Sequence, residues 1–448
     1  MHNLYFLAEM FLFSLLLQPI VALSQAGNFG LIDTTGQVVI PFEYTSLSHP
    51  FDNRVVAYKD GLTGVFDTQG TLIIPFDTPH ISSFDQSMAI YSIGQECGYI
   101  DTIGTIKVPV AYDRCNPFLD SLAWVGKNTD KGLRYGVVNN QGQLVIPCVY
   151  EQAGSHLYMN GLFKVSQQNK YGLIDRKGNP ITPIKYSEIG TFSEGLLRVR
   201  ENGLFGFIDS TGAEVIACQF QRAGYFNHGL VYTRNQQEEV YRNRQLEPVI
   251  DITGWNLLTG FSKNGLAQFK ENELIGFRNR AGDVVIEPQY DVVSILENGR
   301  SRVVKNGYNG VIDANKDVVI PIVYHSINSD SDGIIIARKG DHYGALDTVG
   351  KVVIPFTFEY IERFRNGQTY SLAKNNGTYG VINKQGETLI SFSYKNVPDL
   401  RFPHGLCPFE KEGKMGYLNL QGDVVIPFEY LTARAFSDSG VAVCKKAD

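Results

Sequence analysis

The chain has 448 residues, of which 43% are hydrophobic, 19% charged and 12% aromatic, and it carries a formal net charge of −6. That composition is enough to build a packed core. The acidic balance, with no more than two basic residues in a row, excludes nucleic acid as a main partner, because phosphate binding relies on clustered Lys and Arg.

Residues 10–24 read MFLFSLLLQPIVALS, an apolar run ending in Ala22-Leu23-Ser24, with small residues at the spacing a signal peptidase accepts. The run is too short for a comfortable membrane span. Residues 1–9 hold Glu9 and no Lys or Arg, so either the α-amino group and His2 supply the leading charge or translation starts at Met10. The expectation is a signal peptide over 1–24 and a secreted or periplasmic protein. The competing reading is a buried N-terminal strand or helix. No later segment is apolar enough to span a membrane.

From residue 29 the chain repeats one unit. Tyr171–Tyr186, YGLIDRKGNPITPIKY, gives its skeleton: aromatic-Gly, an apolar pair, Asp, two variable residues, Gly, an apolar run, Pro and Tyr. The Gly after the aromatic position falls at 30, 64, 98, 136, 172, 206, 276, 310, 344, 380 and 416. A degenerate copy is in phase at Val240, which makes twelve units of 34–38 residues.

Three residues past this marker stands Asp or Asn every time, from Asp33 to Asn419, and three further on comes Gly in ten of the twelve copies. Leu246 and Lys316 are the exceptions. Asx at the first position and Gly at the fourth spell a type I turn, with Gly supplying the positive φ that closes a hairpin. A calcium ladder is the alternative. It fails because a calcium site needs several oxygen ligands together and D-x-x-G offers one.

The turn joins a marker strand to a Val-Ile-Pro strand such as Val38-Val39-Ile40 or Val424-Val425-Ile426. Both runs are apolar without alternation, so both faces are expected to be covered. Pro, which has no N–H to donate, is expected to end the ladder, and the following aromatic (Tyr112, Tyr150, Tyr186, Phe220) to plug the layer beneath. A third, basic strand alternates, as in Leu197 and Val199 against Arg198 and Arg200. It leads through turns such as Glu201-Asn202-Gly203 into the next marker strand.

The expected fold is all-β: twelve tandem units of three short antiparallel strands, stacked on one another as a curved solenoid. The alternative is one or two closed propeller-like rings, because the chain starts with the first two strands of a meander and finishes with the third near Val441–Lys445. Residues 235–256 lose both glycines and the Pro phase, which divides the chain into repeats 1–6 over 25–239 and repeats 7–12 over 240–448.

This skeleton resembles the WG-containing repeat family, found largely in bacteria, over residues 29 to 445. No Trp precedes any marker Gly here; Phe29, Tyr135, Tyr171, Phe205, Tyr343 and Tyr379 take that place. The resemblance implies a β-repeat scaffold, often exported, with poorly defined partners, and it supplies no catalytic residues.

The search for chemistry finds little. The six cysteines form no C-x-x-C pair. Cys407 and Cys444 sit near one phase of adjacent repeats, which leaves a disulfide open, although isolated buried thiols are the better reading. His49, His80, His156, His228, His325, His342 and His404 fall at different phases, and there is no P-loop, G-x-S-x-G elbow or zinc motif. No cofactor, metal or catalytic residue is expected. The leading function is a non-catalytic scaffold for a protein partner or cell-envelope component. The alternative is glycan binding, with the off-consensus Trp124 and Trp255 as candidate ligand residues and core packing as their competing reading. An enzyme site assembled across repeats is the third. A single-site function is expected at residues 235–256, where the repeat breaks.

Overall fold

The computed structural model describes residues 28–152, 161–236, 238–295, 300–313, 315–328, 332–365 and 367–446. The expected signal segment, 1–24, lies outside them. The described chain forms twelve antiparallel sheets, most of them four-stranded. This is the expected all-β tandem array, a curved repeat solenoid in which each sheet packs on its neighbours.

The first strands show the scheme: β1 (Asn28–Asp33), β2 (Val38–Tyr44), β3 (Ser46–Leu47), β4 (Arg54–Lys59), β5 (Leu62–Asp67) and β6 (Leu72–Thr78). One sheet has the order β3-β4-β5-β6. The three-strand meander is therefore present, joined by a two-residue fourth strand that the sequence reading did not include. Only Thr45 separates β2 from β3, so one extended run leaves one sheet and enters the next. As a result β3 packs over β1, and β4 over β2.

The turns form as expected. The Asp33 Oδ1 accepts the backbone N–H of Thr35 and of Gln37, both at 2.9 Å, and the Gly36 N–H donates to the Asp33 carbonyl. The two units without Gly adopt the same backbone: Leu246 has φ 66° and Lys316 φ 74°. The hairpin thus imposes the left-handed conformation even where the residue disfavours it. Most of the turns also seat on the preceding unit. At Gly142, φ 86°, a Cβ would lie 2.0 Å from the Lys107 carbonyl oxygen.

Two expectations are corrected. Pro does not end the Val-Ile-Pro strand. Ile40 opposes Leu31 and Tyr44 opposes Phe29, so Pro41 sits in a bulge on an edge strand that continues to the aromatic. Nor is this strand covered on both faces, because along β2 Val38 is exposed, Ile40 buried, Pro41 exposed and Tyr44 buried.

The core is divided among clusters between successive sheets. Tyr44, Leu47, Val55, Ala57 and Phe66 fill one. The series does not stop at the termini, because the last strand, Val441–Lys446, pairs antiparallel with β1 from Asn28↔Lys446 to Asp33↔Val441. Ile32 and Ala442 of this shared sheet pack against Tyr417, Tyr430 and Phe436. The curvature of the array has brought its first and last strands into one sheet.

A disulfide joins Cys97 to Cys115, with Cα atoms 6.1 Å apart. Cys407 and Cys444 are free and buried, as the isolated-thiol reading had it. The Cys97 pairing was not anticipated. Cys97 takes the aromatic position before a marker Gly and Cys115 lies on the short fourth strand, which brings the two together only once that strand is known.

Candidate functional site

Two surface features depart from plain packing. The first begins at Val38. The residue eight places past the marker opens each Val-Ile-Pro strand, and at Val38, Leu72, Ile106, Leu144, Val318, Val352 and Val424 it is aliphatic and between 46% and 55% exposed. Pro180, Glu214 and Pro248 hold this position in the fifth to seventh units, a half-buried Val284 in the eighth, and Thr388 in the eleventh. Because the ends share a sheet, the aliphatic residues follow one arc, running from Val318 through Val424 and Val38 to Leu144 with Thr388 as its one polar member. Exposed Ile103 and Val349, in the turns beside Ile106 and Val352, widen it.

The second feature is the seventh unit. Its sheet comprises Arg222–Ala223, Val231–Asn235, Glu238–Arg242 and Pro248–Asp251. Where other units place the plugging aromatic, fourteen residues past the marker, this one has Gly254. The next sheet lacks the short fourth strand and keeps only a bridge between Leu257 and Phe269. Ile250, Ile252, Phe261 and Ala267 form the core of this layer, with Trp255 and Leu257 against it, and a cleft of about 570 Å³ lies alongside. Tyr225, Tyr232, Tyr241 and Phe261 line it, with Arg222, Asn227, Glu239 and Thr259 among its polar groups.

The cleft is held rigidly. Tyr241 lies edge-on to Tyr232 at 6.0 Å and to Phe261 at 5.1 Å. The Tyr232 hydroxyl donates to the Glu239 carboxylate at 3.3 Å, and Arg234 pairs with the same carboxylate at 3.3 Å. Tyr225 is 41% exposed, and the Arg198 guanidinium lies 4.4 Å from its ring centroid. Arg198 is itself fixed by the Ala223 carbonyl and Glu188. Burial raises the pKa of Tyr232 and Tyr241 above the ordinary phenol value, so both hydroxyls remain donors.

Tyr241 differs from its counterparts. Tyr99 and Tyr417 stand at the same place, one residue past the marker. Their hydroxyls donate to the Asn116 and Arg434 carbonyls of the next unit, at 2.6 and 2.7 Å. The Tyr241 hydroxyl has no hydrogen-bond partner among the described residues.

The tryptophans expected as ligand residues lie elsewhere. Trp124 is 8% exposed and packs edge-on to Phe163 in a core cluster. Trp255 is half-buried against the Gly282 turn, and neither residue lines the cleft. The cleft does adjoin residues 235–256, as expected of a single site, but its aromatics were missed. The signal lay in phase comparison. Tyr225 occupies a position held by His49, Ser83, Pro117, Thr191, Arg363 and Ala435 in other units, and Glu239 is the one charged residue directly before a marker. Among the described residues no group of three or more His, Cys, Asp or Glu side chains is placed to hold a metal ion. No described helix is long and apolar enough to cross a membrane.

Comparison with known proteins bears on the architecture. The model of the WG containing repeat matches residues 29–62, 98–129, 135–171, 171–205, 205–238, 275–308, 310–341, 343–379, 379–414 and 415–448. The chain belongs to that family. Of the unmatched stretches, 63–97 covers the second unit, and 239–274 contains Glu239, Tyr241, Thr259 and Phe261 of the cleft. Among curated proteins nothing matches. Among solved structures, a eukaryotic initiation factor is 13% identical with a TM-score of 0.34, over 68% of this chain and 95% of that one. The extracellular domain of a putative one component system from B. thetaiotaomicron is 10% identical with a TM-score of 0.23, over 91% and 70% of the two chains.

Proposed function

We propose that this member of the WG containing repeat family is a non-catalytic scaffold that holds a partner protein along its aliphatic arc. The carrying observation is the recurrence of an exposed Val, Leu or Ile at one strand position from Val318 round to Leu144. Scattered single exposures need no explanation, whereas apolar exposure at one position in seven of eight successive units, broken only by Thr388, marks an interaction surface. A stable interface needs about 800 Å² from each partner, which one short strand does not offer and a row of adjacent units does. Export to an oxidising compartment is part of this reading, supported by the Cys97–Cys115 disulfide and the apolar segment 10–24.

The test is a triple variant, Leu72→Asp, Ile106→Asp and Leu144→Asp, with melting checked against the parent. Both proteins are immobilised and exposed to cell-envelope extract. A protein retained by the parent and released by the variant supports the reading. Identical retention profiles contradict it. A glycan-binding role is favoured by a separate observation, the seventh-unit cleft.

A further inference from the structure

We propose that the seventh-unit cleft is a saccharide site, in which a pyranose ring stacks on Tyr225 while its hydroxyls meet the Glu239 carboxylate and the Tyr241 hydroxyl. This rests on a different surface from the aliphatic arc and stands or falls separately.

Every other unit except the second, which has Thr78, closes this layer with an aromatic residue; the seventh has Gly254. Phe261, Ala267 and Trp255 fill the layer instead, and the cleft alongside carries features that packing does not explain. Tyr225 brings an aromatic ring to a position that is small or polar in most other units. Its ring is braced by Arg198 at 4.4 Å and lies against Gly190, so it is fixed before any ligand arrives. Tyr241 keeps a partly buried hydroxyl unpaired among the described residues, where Tyr99 and Tyr417 have spent theirs on the next unit. A half-buried donor of this kind favours a ligand that brings an acceptor.

The chemistry selects the ligand class. A saccharide ring presents C–H bonds on its face and hydroxyls on its rim, which matches an aromatic platform bordered by a carboxylate, an amide and phenols. Arg234 already pairs with Glu239 at 3.3 Å, so the carboxylate is left as a hydrogen-bond acceptor and not as a free negative charge seeking a cation. At about 570 Å³ the cleft falls within the range of small-molecule sites.

The experiment is titration calorimetry of the full chain with cellotriose, maltotriose and triacetylchitotriose, each to about 10 mM. Saturable binding of at least one is expected, weakened about tenfold by Tyr225→Ala, preserved by Tyr225→Trp and weakened severalfold by Tyr241→Phe. The Tyr225→Trp and Tyr241→Phe variants keep the test alive if Tyr225→Ala fails to fold. Absence of binding to all three sugars overturns the proposal. So does binding that Tyr225→Ala and Tyr241→Phe leave unchanged, or binding of a decaproline peptide in place of the sugars.

Discussion

Alanine substitutions at Gly142 and Gly61 separate the two tasks of glycine in this array. Both residues have positive φ, 86° and 83°. At Gly61, in the hairpin between β4 and β5, a Cβ would meet nothing within 4 Å. Gly61→Ala therefore meets only the left-handed backbone cost, about 1–2 kcal/mol. At Gly142 the same Cβ would sit 2.0 Å from the Lys107 carbonyl oxygen, far inside the roughly 3.5 Å of van der Waals contact. Relief requires two units to part, and overpacking of this kind adds about 1–3 kcal/mol. The two variants and the parent are compared by urea titration, followed by far-ultraviolet circular dichroism and tyrosine fluorescence. Stability in repeat arrays is partly local, so midpoints and slopes are read together. Gly142→Ala should lie well below Gly61→Ala. Equal losses would refute the idea that turns seat units on one another through bare backbone.

The remaining predictions concern the turns, the disulfide and the buried acids. Lys316→Gly, at φ 74°, should raise stability by about 0.5–1 kcal/mol, while Leu246→Gly should gain less because Leu246 also packs on the core; chemical denaturation of each decides. Reducing Cys97–Cys115, which closes a sequence separation of 18, should cost about 3 kcal/mol, read as a lower melting temperature in reductant that a Cys97→Ser, Cys115→Ser variant does not show further. Burial pushes Cys407, Cys444 and Tyr44 up to about 12. Their folded values exceed their unfolded ones, so the stability they contribute is complete below about pH 9 and is lost as pH rises toward 12. An unfolding free energy that stays flat across that window would contradict this. At pH 8, a thiol reagent should modify half-buried Cys148 and Cys218 before Cys407 and Cys444.

The turn was legible because it depends on local chemistry: Asp33 bonds to residues two and four along, and Gly36 follows from the φ it must adopt. What escaped the sequence depends on neighbours. Ser46–Leu47 has too few residues to show periodicity and becomes a strand only by pairing with Tyr58 and Ala57. Pro41 reads as a strand end, yet an edge strand with a bulge accommodates it. Val38 looks like a core residue because its run is apolar throughout, yet it opens an edge strand and is exposed there. At the candidate site, the break at 235–256 was visible as a lost pattern. Tyr225 and Tyr241 were not, because each is ordinary by type and unusual only when set beside its counterparts in other units.

The array meets itself through Asn28–Asp33 and Val441–Lys446. Small-angle scattering on the chain from residue 25 onward tests this closure most directly. Twelve sheets about 10 Å apart, bent into a circuit, give a maximum dimension of about 70 Å. The same sheets in an unclosed stack extend toward about 120 Å. The compact value is predicted, and the extended one would contradict both the shared terminal sheet and the continuity of the aliphatic arc across it.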